Sequence, residues 1–182
     1  MNKAYKLTDV ATLRSQARKH IEGGAVTAGY NADRDQVLKL LNGALATEIV
    51  CVLRYRRHHF MASGIHGQSV GAEFLVHSNE EQGHADLLAA RIVQLGGEPD
   101  FAPDNLSQRS HAEYVAGESL THMIRENLVA ERIAIDSYRD MIGYLGDQDP
   151  TTSDLLKQIL AVEEEHADEL ADLLEGMPAH PA

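Results

Sequence analysis

The chain has 182 residues, 43% of them apolar and only 5% aromatic, with five prolines and no tryptophan. That length suits one domain with a sizeable core, and the composition favours helix over sheet. A formal net charge of -12 opposes a nucleic-acid-binding surface over the whole body and suits a protein that attracts cations.

The first element predicted is a short amphipathic helix over Asp9 to Glu22, where Val10, Leu13, Ala17 and Ile21 recur at spacings of three and four before Gly23 and Gly24. This arm is basic: Lys3, Lys6, Arg14, Arg18 and Lys19 face only Asp9 and Glu22. Four long helices follow. The first runs from about Arg34 to Ala62, opened by Asp33 with Gln36 three residues on, and the second from about Gln68 to Leu95, ended by Gly96 and Gly97. The third is placed after Ser110, in a capping box with Glu113, and ends near Gly146. The fourth starts at Asp149 and Pro150 and stops at Gly176. Residues 1–33 are therefore read as an arm, 34–176 as an all-α four-helix bundle and 177–182 as a tail.

The links near 63–67 and 146–149 are short enough only for antiparallel neighbours. The stretch from Gly96 to Ser110, with Pro99 and Pro103, reaches roughly 45 Å when extended, the length of a long helix. It can cross the bundle and make the second and third helices parallel. No N-terminal secretory stretch and no run near ~18 apolar residues is evident, so a soluble, cytoplasmic protein without a membrane partner is expected. The one cysteine, Cys51, has no internal disulfide partner and is assigned to packing.

One pattern occurs twice. Glu48 is followed 33 residues later by Glu81-x-x-His84, and Glu131 is followed 32 residues later by Glu163-x-x-His166. At 100° per residue each of these side chains falls in an apolar stripe. Glu48 shares its stripe with Leu41, Leu45, Val52 and Tyr55, and Glu131 with Leu128, Ile135 and Tyr138. Glu81 and His84 lie with Phe74, Leu88 and Ile92, and Glu163 and His166 with Leu156, Leu160 and Leu170. A lone Glu-x-x-His is commonplace on a solvated helix. Four buried carboxylates in register, without Lys or Arg at matching positions, instead require cations, and two divalent ions balance them with the histidines as neutral donors.

Residues 41 to 48 (Leu-Asn-Gly-Ala-Leu-Ala-Thr-Glu), 80 to 86 (Glu-Glu-Gln-Gly-His-Ala-Asp) and 163 to 168 (Glu-Glu-Glu-His-Ala-Asp) resemble the metal-binding helices of the ferritin-like di-iron superfamily, most closely bacterioferritin and Dps-like ferritins. The resemblance covers about residues 34 to 175. It implies two iron ions per subunit, with Glu48 and His84 as terminal ligands of one, Glu131 and His166 of the other, and Glu81 and Glu163 bridging. Tyr55 falls at the family's site-proximal tyrosine. The activity implied is ferroxidase and iron storage, oxidising Fe(II) with O2 or H2O2 and protecting against oxidative damage. Manganese or zinc also suits the donor set.

Two departures from the family sharpen this expectation. Gln82 stands where bacterioferritin has its haem-binding methionine, so no haem is expected. The chain ends soon after Gly176, where 24-subunit ferritins add a fifth helix, so a homododecameric cage is expected before a 24-mer. A rubrerythrin-like or manganese-type peroxidase or catalase is the rival enzyme, and DNA binding by the basic arm is the weaker alternative. Smaller expectations concern single residues. His77 is read as a packed histidine or a metal-binding one, Glu80 as a partner for the second nitrogen of His84, and Arg54, Arg56, Arg57, His58 and His59 as a solvated or intersubunit face.

Overall fold

The computed structural model describes residues 7–177, and among these every regular element is helical. They are α1 (Val10–Gln16), a 3-10 turn (Ile21–Gly23), α2 (Arg34–Met61), α3 (Gly67–Gln94), α4 (Leu106–Arg109), α5 (Leu120–Leu145) and α6 (Pro150–Glu175). α2 packs on α3 and α5 on α6, giving two helical hairpins. One apolar cluster gathers the early part of α2 (Leu41, Leu45), the late parts of α3 (Leu88, Ile92) and α5 (Tyr138, Leu145), and the start of α6 (Leu156). Late α3 and late α5 thus share one end of the bundle, so these helices run parallel, as the long connection between them demands. A second cluster, with Cys51, Tyr55, Phe74, Ile124 and Leu170, fills the other end. Each fully buried Leu or Ile contributes about 1.5–3 kcal/mol, so both ends are firmly held and the layer between them is fixed in place.

Local chemistry sets the helix ends. Asp33 accepts from the Gln36 backbone N–H at 3.1 Å, and Asp149 accepts from Thr152 at 3.0 Å with Pro150 in the first turn. Asp149 also pairs with buried Arg91 at 2.8 Å and accepts from the Tyr30 hydroxyl at 3.0 Å, which fastens the α5–α6 turn to α3 and to the arm.

The third long helix begins at Leu120, capped by Ser119, ten residues beyond the capping box read at Ser110. Ser110 donates instead to the Ala112 carbonyl at 2.6 Å. The segment between stays extended because α2 takes its polar groups: Arg54 donates to the Glu113 carbonyl, Arg57 donates to that of Ala116, and His111 N–H donates to Thr47. Gly117 then turns at φ +74, where a Cβ would strike the Met123 side chain.

The predicted arm helix is shorter than expected, ending at Gln16, and its apolar residues find no core: Val10 is 60% and Leu13 51% exposed. Lys3 and Lys6, and the tail from 178 on, lie outside the described residues. By length and composition α2 is apolar enough to pass for a membrane span, but more than half of that stretch is buried within the bundle, as in a core helix.

Candidate metal centre

Between the two apolar clusters lies a layer of ionisable side chains with almost no solvent contact. Glu48, Glu81, Glu131, Glu163 and His166 are at most 1% exposed, and His84 is 6% exposed. They fall into two overlapping donor groups: Glu48, Glu81, His84 and Glu163 in one, Glu81, Glu131, Glu163 and His166 in the other. Within each group the donor atoms lie within 4.8 Å of one another, and Glu81 and Glu163 belong to both. The structure thus brings together all six residues singled out from the doubled pattern.

Both histidines turn Nδ1 inward. That of His84 lies 2.9 Å from Glu163, 3.2 Å from Glu81 and 3.5 Å from Glu48. That of His166 stands 3.8 to 4.0 Å from Glu163, Glu81 and Glu131. Two tyrosines cross the bundle to the opposite hairpin. Tyr138 of α5 donates to Glu48 of α2 at 2.5 Å, and Tyr55 of α2 donates to Glu131 of α5. Each takes one oxygen of a carboxylate and leaves the other facing inward.

The electrostatics show a site built for more positive charge than the protein supplies. Burial, together with the other three carboxylates, pushes Glu81 well above the ordinary range, and burial with Glu48 and Glu131 does the same to Glu163. Glu48 also feels burial, but its closeness to His84 and Glu81 outweighs it and holds its pKa below the usual value. His84 is raised to about 10, because Glu48 and Glu81 overcome its desolvation. His166 is lowered, burial prevailing over the pull of Glu131.

Six inward-facing atoms have no hydrogen-bond partner: Glu48 Oε2, Glu81 Oε1, Glu131 Oε2, both oxygens of Glu163 and His166 Nδ1. The short His84–Glu163 contact is close in distance but misdirected for a hydrogen bond. Orphaned buried acceptors cost about 1–3 kcal/mol each, and convergent oxygen and imidazole donors are what a pair of divalent transition-metal ions requires. The residues fit such ions.

Several neighbours differ from their sequence reading. Arg54 and His58 are fully buried rather than solvated, and with Arg91 they are the cationic or ring groups not expected inside. Their hydrogen bonds go elsewhere: Arg54 donates to Asn127 and the Glu113 carbonyl, and Arg91 is engaged by Asp149 and Thr152. Glu80 meets Nε2 of His166, at 2.9 Å, and not His84. The two Glu-x-x-His copies face each other across the bundle, so a residue one turn from one histidine lies beside the other. His77 is completely buried, contacts the Tyr55 hydroxyl at 3.2 Å and stacks on His166 with ring centroids 4.1 Å apart. Glu169, missed from sequence, meets His77 at 2.8 Å. Its spacing of three residues from His166 was the available signal.

Residues 38–179 match the family model of the ferritin-like domain. The chain belongs to the ferritin-like family. This ferritin-like chain is 30% identical over 152 residues to the DNA protection during starvation protein of Pyrococcus furiosus, with 81% of each chain covered. It is also 30% identical over 143 residues to bacterioferritin of Mycobacterium avium, covering 78% of this chain and 86% of that one. Among solved structures it is similar to the dodecameric thioferritin, a bacterioferritin-related protein, of Bacteroides fragilis. That match has 31% identity and a TM-score of 0.77, over 80% of this chain and 88% of that one.

Proposed function

We propose that this chain is a ferroxidase and iron-storage protein whose substrate is Fe(II), bound in pairs inside each subunit. One observation carries the reading: two four-donor groups share Glu81 and Glu163 in a dry layer where six donor atoms lack partners. Glu48 with His84, and Glu131 with His166, hold one ion each, and Glu81 and Glu163 span both. Two Fe(II) supply two electrons, enough to reduce H2O2 to water with two protons, or O2 to H2O2. Tyr55 and Tyr138 keep their protons, since burial and the adjoining carboxylates push both phenols well up, and they hold Glu131 and Glu48 in place. Each ligand gives up any proton it carries when an ion binds, so loading strengthens as pH rises.

Residues 34–176 form the functional unit, with 1–33 appended to it, and twelve such units make a cage that keeps the Fe(III) product. The dodecameric state of the similar Bacteroides fragilis protein supports that number. Protection of DNA then comes from removing Fe(II) and oxidant. Direct contact with phosphates is opposed by the net charge of -12. Gln82 supplies no haem ligand.

Anaerobic Fe(II) titration followed by stopped-flow mixing with O2 and with H2O2 tests the proposal. Two Fe(II) bind per subunit, are oxidised rapidly, and repeated additions leave far more ferric ion in the particle than the centres hold. Turnover of peroxide without retained mineral would instead mark the peroxidase reading.

A further inference from the structure

We infer that the N-terminal arm of each copy docks on a second copy of this chain, α1 laying its apolar face in an acid-rimmed cleft between the start of α3 and the end of α6. The arm is apolar and basic on its outside. Leu7, Val10, Leu13 and Ile21 are 81%, 60%, 51% and 74% exposed, and none of residues 7–25 is buried. Neighbouring exposed apolar side chains of this kind mark a contact surface when polar groups rim them. Here the rim is Arg14, Arg18 and Lys19, and among the described residues no carboxylate pairs with them. Arg18 donates to the Arg14 carbonyl, Asp9 is occupied by Thr12, and Glu22 stands beside His20.

The cleft has the opposite character. Its volume is about 530 Å³, its floor is Val70, Leu173 and Met177, and its rim carries Glu73, Glu169 and Asp172 with no Lys or Arg. The side chains of Glu73 and Glu169 remain 38% and 44% exposed, so their charges face solvent. The residues after Met177, Pro-Ala-His-Pro-Ala, bring no Lys or Arg to answer that rim. The arm brings three cations and an apolar face, which match the rim and the floor together.

The two surfaces belong to opposite ends of one chain. Tyr30 fixes the root of the arm to Asp149 at the start of α6, and Val26, Tyr30 and Ala32 pack on the apolar cluster of that end. α1 folds back on this root, because Leu13, Gln16 and Ala17 share a hollow with Val26 and Thr27. The cleft lies at the other cluster, against which Val70, Leu173 and Met177 are packed. At ~1.5 Å per residue, Asp149 and Leu173 stand roughly 36 Å apart along α6. As folded, α1 therefore cannot cover its own cleft, and the cleft it fits is on a neighbour. Joining unlike patches in this way is a heterologous, head-to-tail contact, which closes into a ring when the rotation between copies allows.

The inference needs copies to associate, but neither iron at the paired centre nor a particle of twelve. Its test is disulfide trapping in the full chain carrying Leu13→Cys and Ser69→Cys together, Ser69 being an exposed residue of the cleft. The native Cys51 is buried and takes no part. Mild oxidation at physiological salt is expected to give a ladder of covalently joined chains on a non-reducing gel. In that background Arg14→Glu/Arg18→Glu and, separately, Glu73→Lys/Asp172→Lys are each expected to cut the ladder by about tenfold or more, since like charges then meet, with circular dichroism unchanged. All four changes together reverse both signs and are expected to restore it. A folded, charge-swapped chain that gives no ladder overturns the inference, and so does a ladder indifferent to either pair. A disulfide closed within single chains marks an arm lying on its own cleft and overturns it as well. Particles assembled as in wild type without any ladder overturn the docking and leave the cage standing, whereas a ladder in particles of another mass upholds the docking and removes the dodecamer.

Discussion

The His84 half and the His166 half of the centre use the same motif, yet the surrounding protein treats them oppositely. His84 is wedged among three carboxylates and raised to about 10, so in the metal-free chain it is a cation that partly neutralises its own site. His166 is lowered by burial, presents an unpartnered Nδ1 inward, and is steadied from behind by Glu80 and the His77 ring. A repeated pattern therefore specifies the donors, and the unrepeated side chains around it decide which donor is ready for metal and which must first release a proton.

The strongest way to break this comparison is to remove a donor common to both halves and then one belonging to a single half. Glu163→Ala should abolish paired binding, and Glu131→Ala should leave the His84-side ion alone. Both should slow Fe(II) oxidation by at least ~100-fold, since losing even a supporting contact costs about 10- to 100-fold. Stopped-flow rates and Fe(II) stoichiometry decide this, and a wild-type rate in Glu131→Ala removes that residue from the centre.

The next effect is on stability. Glu81 and Glu163 have raised pKa values in the folded chain, so their contribution is full below the ordinary carboxyl value and declines as pH rises through the raised range. That of His84 is full below its ordinary value and is lost as pH rises toward about 10. Glu48, with a lowered pKa, acts oppositely and only in acid. The melting temperature of metal-free protein should hence fall steadily between about pH 6 and pH 9. Zn(II) loading should stabilise most at the upper end, and a metal-free Tm that climbs over this interval would contradict the assignment.

Smaller changes sharpen the asymmetry. Glu80→Gln touches only the His166 half and should weaken one ion by about tenfold, near 1.4 kcal/mol, in a Co(II) titration. Tyr55→Phe should cost the metal-free protein more than Tyr138→Phe, about 1–3 against about 1 kcal/mol in urea unfolding. The first leaves both Glu131 and His77 Nδ1 without a partner, the second only Glu48.

Much of the bundle was legible because burial imposes a period. Leu41, Leu45 and Glu48 share a stripe whatever their chemistry, and a charged member of such a stripe is conspicuous. Asp33, Asp149 and Pro150 act within one turn of the chain, so their caps were readable too. The start of α5 was not. Ser110 and Glu113 satisfy a local rule, but the backbone after them is claimed by Arg54, Arg57 and Thr47 from α2, partners more than fifty residues away. The same distance hid the burial of Arg54 and His58, and the pairing of Glu80 with His166 across the bundle. The apolar residues of α1 followed the helical period and still stay more than half exposed among the described residues.

The strap between α3 and α5 has a consequence for how this protein tolerates change. Its carbonyls at Glu98, Glu113, Val115 and Ala116 are gripped by Asn42, Arg54, His58 and Arg57, each at a set height on α2. A connector anchored in this way behaves like a laced seam. Adding or deleting a residue there shifts every later eyelet, so the length of this connector is the least negotiable dimension of the chain between α3 and α5.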